Sequence, residues 1–236
     1  YINIIFKYII NIIFKYIINI INISIMKITC DYILIILNCE KYRNKALNQK
    51  QQWLHTLPKN IKYYHVIGNI EKCKNEPIFI DENERIIYTN TKDDYNSLPS
   101  KVITALQGID LHFDYKYIFK TDDDQKLIYP HFFNKLPNVI DSNQSHYGGY
   151  NVEVEDHISL YYLVHDCLPR NILLKACKYC NGRFYFLSKD AVVYLLTKKS
   201  IIETHIIEDH AIGFNLDEKY KYSMINLNTD EIFIDN

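Results

Sequence analysis

A surplus of either charge sign is missing from this sequence. Its 27 Lys and Arg stand against 28 Asp and Glu, for a formal net charge of -1 over 236 residues. Without a basic field there is little to hold a phosphate backbone, which argues against nucleic acid as the main partner. Neither G-x-G-x-x-G nor G-x-x-x-x-G-K-[ST] occurs, so neither a Rossmann dinucleotide site nor a P-loop is supported. Glycine and proline number six each, and no stretch rich in them splits residues 26–236, which read as a single domain. Cysteine is sparse: Cys30, Cys39, Cys73, Cys167, Cys177 and Cys180. Only Cys177-x-x-Cys180 has metal-like or redox-like spacing. No second pair lies near it, only Cys167, so buried thiols or a local disulfide are expected ahead of a zinc or redox site.

What is present is ordinary for a globular protein, with 48% hydrophobic and 23% charged residues. The length permits one large domain or two small ones. Ile, Asn, Lys, Tyr and Phe dominate, the residues that A/T-rich codons specify, which speaks to the genome of origin and not to chemistry. The first 25 residues, "YINIIFKYIINIIFKYIINIINISI", repeat an eight-residue unit and begin with Tyr, whereas Met26 opens a stretch that reads like a protein start. Three alternatives stay open for this leader: translated sequence upstream of the initiator or a disordered leader, a weak membrane anchor, or a structured part of the protein. Lys7 and Lys15 interrupt it, leaving no uncharged run of the roughly 18 residues a span requires. A Lys at the bilayer centre costs about 2.5–3.5 kcal/mol against ~0.3–0.6 gained per Ile. An anchor would imply the Golgi or secretory membrane; without one, a cytoplasmic protein of a parasite or large virus is expected.

From Met26 onward, apolar runs alternate with helical patterns, the signature of an α/β domain. "YILIILN" (32–38) and "IKYYHVIG" (61–68) read as buried strands, with a helix between them over 40–57. "SKVITALQGI" (100–109) reads as a helix with Ser100 as N-cap, followed by the strand "YKYIFK" (115–120). "RFYFLS" (183–188) reads as a strand, with Ser188 capping the helix "KDAVVYLLTKK". "HYGGYN" (146–151) is expected in strand-and-turn packing, with its Gly pair in a tight turn, ahead of a sugar-stacking wall.

Behind the strand at 115–120 stand three carboxylates, Asp122, Asp123 and Asp124. Adjacent aspartates repel, and strand ends in such folds carry ligands. A hard divalent cation takes oxygen ligands and bridges one or two carboxylates to substrate phosphates, so a nucleotide diphosphate arriving with its metal would resolve the repulsion. A solvated acidic turn is the alternative on the triplet alone. A metal-dependent phosphoryl or nucleotidyl transferase would need a second carboxylate cluster, and none is evident.

Residues 43–215 resemble the galactosyltransferase-type β-1,3-glycosyltransferases, which include the Fringe-like enzymes. "KALNQKQQW" (45–53) is similar to the family's R-x-x-x-I-R-x-T-W, with Trp53 matching and Lys50 in place of the second Arg. "DDYNSLPSK" resembles D-x-Y-x-N-L-T-x-K, keeping Tyr95, Leu98 and Lys101. "YIFKTDDD" matches the strand and DxD motif, "YCNGRFYFLSKDAVVYL" resembles Y-x-S-G-x-G-Y-x-L-S-x-D, and "IIEDHAIGF" resembles E-D-V-x-x-G. Five blocks in order are a far more specific signal than one DxD.

The resemblance implies a GT-A fold and transfer of a hexose from a UDP-sugar to an acceptor hydroxyl of a glycan or glycoprotein, with inversion and a β-1,3 linkage. It places Asp124 on the metal, Mn²⁺ or Mg²⁺, with Asp122 as a second ligand or a ribose or water contact. Asp122, Asp123, Lys50 and Lys101 are implied to surround the nucleotide, although Lys lacks the bidentate fork of Arg. Asp209 falls at the position of the catalytic base, with Glu208 the lesser candidate. Both would also suit a helix N-terminus electrostatically. One departure stands out. Relatives commonly carry a metal-binding His well downstream of this block, and no His follows His210. A truncated C-terminus, a metal held by fewer ligands, or reduced activity are the alternatives, and a catalytically silent glycan- or partner-binding relative is the competing function. His205 and His210 are expected to pack on the surface or against a helix.

Overall fold

The run Tyr32–Leu37 is buried along its whole length, as a strand covered on both faces must be. In the computed structural model, which describes residues 27–236, this run lies inside an eight-stranded sheet. The leader over 1–25, anchor or otherwise, lies outside the described residues. Numbered along the chain, the strands of this sheet are β1 (Tyr32–Leu37), β2 (Ile61–Gly68), β3 (Ile78–Asp81), β4 (Ile86–Thr89), β5 (Tyr117–Asp122), β6 (Tyr147–Val154), β7 (Cys177–Ser188) and β8 (Ile225–Asn226). Their spatial order is β8-β6-β7-β5-β1-β2-β4-β3. β1 runs parallel to β2 and β5, as do β2 with β4 and β6 with β8. β7 is antiparallel to β5 and β6, and β3 to β4.

Five helices matter most: α1 (Arg43–Gln52), α2 (Leu98–His112), α3 (Phe132–Asn143), α4 (Lys189–Leu196) and α5 (Glu208–Asn215). Side chains alternate across a strand, and β1 divides accordingly. Ile33, Ile35 and Leu37 pack with α2, α4 and α5 through Val102, Leu106, Leu195 and Ile212. Tyr32, Leu34 and Ile36 join Trp53 and the Phe132, Phe133 and Leu136 face of α3. A mixed, mostly parallel sheet between two helical layers results. No described helix is long and apolar enough to cross a membrane.

The element boundaries depart from expectation in instructive places. α2 begins at Leu98, so Ser100 sits inside it and is not its N-cap. Proline is tolerated in a first helical turn, and Pro99 occupies it. Asp94 instead caps the preceding 3-10 turn, accepting from Ser97 N at 2.9 Å. Ser188 does cap α4, accepting from Ala191 N at 3.2 Å. β5 runs two residues further than expected and ends on Asp122 itself. β7 extends back to Cys177, so Cys177 and Cys180 share one strand at odd spacing and face opposite sides. The glycine pair of "HYGGYN" forms no turn; it lies within β6. A Cβ on Gly148 would sit 2.6 Å from the Phe186 ring and 2.8 Å from the Ile225 carbonyl, so close packing between β7 and β8 demands the missing side chain.

Candidate active site

Strand register builds the site. Leu37 pairs with Val66 of β2 and with Asp122 of β5, so parallel strands end level. Beyond them Asn38 and Asp123 open onto a cleft of about 740 Å³ at the carboxyl edge of the sheet. Asp122, Asp123, Asp124, Lys101 and Asp209 all line it.

Asp122 has a partner that the sequence reading missed. Lys120 lies two residues earlier on β5, on the same side of the strand, and its ammonium is 2.8 Å from Asp122 Oδ1. The same buried ammonium stands 3.2 Å from Glu208 Oε2 and donates to the Gly182 carbonyl at 2.5 Å. Tyr185 donates its hydroxyl to Glu208 Oε1 at 2.5 Å. One lysine therefore ties the end of β5 to the start of α5. Burial alone would push the Lys120 ammonium down, but Asp122 and Glu208 override it and hold it above the usual lysine range. Burial pushes the Asp122 carboxyl up to about 6 against the pull of Lys120. A lysine embedded in an apolar strand just before an acidic triplet was the available signal.

Asp123 faces Lys45 of α1 at 3.2 Å, and burial likewise pushes its carboxyl up to about 6. Lys50 must be corrected. Its ammonium donates to the Glu84 carbonyl at 2.6 Å on the exposed surface, and it is not among the residues lining the cleft. Helical geometry explains the difference. Lys45 and Gln49 are four residues apart and share a face; the Gln49 amide donates to the Asp122 and Gln125 carbonyls at 3.0 and 2.8 Å. Lys50, one residue on, is rotated off that face. Lys101 does reach the cleft, but it is buried and committed, donating to Asp93 Oδ1 at 2.6 Å and to the Asn38 carbonyl at 2.9 Å. Asp93 in turn accepts from Gly68 N at 2.9 Å and Glu40 N at 2.7 Å. Lys101 thus braces the ends of β1 and β2.

Asp209 stands in the first turn of α5. Its Oδ1 accepts from His210 N and its Oδ2 from Gly182 N, both at 2.8 Å, which fixes the plane of the carboxylate. Burial raises its pKa above the usual carboxylate range, against those two bonds and Lys120. Glu208 is raised by burial too, but it is engaged by Lys120 and Tyr185. Gly182 leaves room for this arrangement, since a Cβ there would meet Lys120 Nζ at 3.3 Å and Asp209 Oδ2 at 3.4 Å. His210 points elsewhere, its Nε2 within 2.8 Å of the Lys175 carbonyl and its ring stacked on Phe214. Aromatic side chains on the cleft wall come from Tyr42, Tyr95, Tyr161 and His165, the last stacked on Tyr95 at 4.4 Å between centroids. Tyr147 of "HYGGYN" is buried and Tyr150 exposed, and neither lines the cleft.

The donor set suits a hard cation that arrives with phosphates. It offers carboxylate oxygens only, and among the described residues Asp124 is the member of the triplet with no ion-pair partner. No group of three or more His, Cys, Asp or Glu converges to hold a metal among the described residues. A cation here would complete its shell with ligand oxygens and water, the usual mode for Mg²⁺ beside a nucleotide.

The sequence profile described as galactosyltransferase matches residues 40–228. The chain belongs to this family. Similar solved structures include residues 1–349 of TarS from S. aureus, 11% identical with a TM-score of 0.45, covering 86% of this chain and 59% of that one. This chain therefore spans less than two thirds of that protein's resolved length. The mannosyltransferase Ktr4p from S. cerevisiae is 12% identical with a TM-score of 0.46, covering 87% and 70%. Mouse xyloside xylosyltransferase 1 is 10% identical with a TM-score of 0.38, covering 86% of both. No curated protein sequence matches. The α/β class expected from the sequence, a mixed sheet flanked by helices, is the one observed.

Proposed function

We propose that the protein is a metal-dependent inverting glycosyltransferase that moves a hexose from a UDP-sugar to the hydroxyl of a glycan or glycoprotein, forming a β-1,3 linkage. The observation that supports it is the sharing of one cleft by the Asp122–Asp124 triplet and Asp209. Asp124, with Asp122, would hold Mn²⁺ or Mg²⁺, which when bound would neutralise charge on the departing diphosphate. Lys45 adds positive charge beside Asp123 of the same triplet. Asp209 accepts the proton of the acceptor hydroxyl as that oxygen bonds to the anomeric carbon. The bond from that carbon to the diphosphate oxygen breaks on the opposite face, and its electron pair leaves with UDP. The two backbone N–H groups on Asp209 hold the carboxylate oriented for this, and its raised pKa keeps it basic enough to take a proton.

A second reading, a catalytically silent relative that binds a glycan or a protein partner, is favoured by the ion pairs that already engage Asp122 and Asp123. Turnover separates the two. With Mn²⁺ and a panel of UDP-sugars, the wild type should release UDP, and Asp209→Asn should lower kcat by about 10²–10⁴ while leaving UDP–Mn²⁺ affinity unchanged. Turnover that survives Asp209→Asn, or none in the wild type, would refute the catalytic reading.

A further inference from the structure

Asn38 directly follows β1 and lines the cleft, yet its side chain is buried, at 4% exposure. Its backbone is fixed on both sides: Asn38 N donates to the Val66 carbonyl at 3.0 Å, and its own carbonyl accepts from Lys101 at 2.9 Å. Cys39 N donates to Asn38 Oδ1 at 2.6 Å, which settles which end of the amide is nitrogen. Nδ2 is then left without an acceptor. A buried donor left unpaired costs about 1–3 kcal/mol. The amide cannot swing away to find an acceptor without giving up the Cys39 bond.

The strand order says which part of a donor lies beside it. Asp209 is tied to Gly182 on β7, one strand to one side of the triplet on β5. Asn38 belongs to β1, one strand to the other side, with Asp93, which accepts from Gly68 N at the end of β2, beyond it in the same cleft. A diphosphate beside the triplet with its sugar directed at Asp209 therefore leaves its nucleoside on the Asn38 side.

We propose that Asn38 is a specificity residue for the nucleoside half of the donor, with Nδ2 donating to a carbonyl oxygen of the base. This rests on the nucleotide-sugar reading of the cleft given above. Uracil presents a carbonyl on each side of its ring N–H, whereas the amino group of adenine would set donor against donor. Because Oδ1 is already engaged by Cys39, the residue discriminates through its unpaired Nδ2 amino group.

Calorimetric titration of UDP and of inorganic diphosphate, each with Mn²⁺, into the wild type, Asn38→Ala and Asn38→Asp tests this. Asn38→Ala should weaken UDP about three- to tenfold, the effect of one hydrogen bond, and leave inorganic diphosphate unchanged. Asn38→Asp keeps the acceptor for Cys39 N but replaces the donor by a second acceptor, and should weaken UDP further still. This isosteric variant serves if the alanine variant does not fold. Equal UDP affinity in all three proteins, or equal losses for UDP and inorganic diphosphate, would overturn the role of Asn38 while leaving the nucleotide-sugar reading standing. Failure of the wild type to bind either ligand would overturn both.

Discussion

Replacing Lys120 by methionine would leave Glu208, buried and hydrogen-bonded to Tyr185, without the cation beside it. Breaking one partner out of a buried ion pair costs about 3–5 kcal/mol, because the remaining charge is stranded. Lys120→Met should therefore show a lowered urea midpoint, and the double variant Lys120→Met/Glu208→Gln should recover part of the loss. Equal midpoints for Lys120→Met and the wild type would show that the ammonium is not what holds β5 to α5. At this scale the sequence, through motifs that name a residue type at a fixed spacing, led to Asp122, Asp124 and Asp209, which share one cleft. It failed at Lys50, where neighbouring lysines on α1 could not be ranked without knowing which helix face meets the triplet. It gave only a faint signal for Lys120 and none for Asn38, because the groups they bond, Glu208 and Lys101, lie far away in the chain.

Elements were most legible where burial is two-sided. "YILIIL" announces itself as a strand because a covered parallel strand reads as an unbroken apolar run, and "IKYYHVIG" because its β-branched and aromatic residues outweigh Lys62 and His65. Less legible were ends decided by tertiary contacts: the backward extension of β7 follows from pairing Cys177–Cys180 with Asn151–Val154 of β6. β2 also carries a cost. His65 is fully buried with neither ring nitrogen bonded, and burial lowers its pKa to about 3. In the unfolded chain this ring takes a proton at about pH 6.5, and in the folded chain only near pH 3, so its contribution to stability is lost as pH falls between those values. His65→Leu should unfold at higher urea than the wild type at pH 7, by about 1 kcal/mol or more. Its advantage should widen toward pH 4. An advantage that stays constant with pH would contradict a neutral buried imidazole.

For the whole molecule, the metal site proposed in the acidic cleft would link proton binding to metal binding. Asp122 and Asp123, both pushed up to about 6 by burial, hold protons more tightly when folded than the ~3.9 of an unfolded aspartate. Between those values the folded state binds more protons, so the stability these groups contribute falls as pH rises. A cation that relieves the same crowding competes with those protons. Mn²⁺ should accordingly raise the Tm more at pH 7.5 than at pH 5, and comparison with and without metal cancels the opposing effect of His65. The α/β class was legible because apolar runs alternate with helical patterns along the chain, whereas the order of the strands was not. The cleft's far wall was not, since Tyr161 and His165 come from a stretch with no regular pattern. The most direct test of the account is a crystal of the protein soaked with manganese and UDP, examined by anomalous scattering. The account predicts one manganese peak against Asp124 with the diphosphate beside it and the open side of the cleft leading to Asp209. Manganese bound elsewhere, or UDP seated away from the triplet, would contradict it.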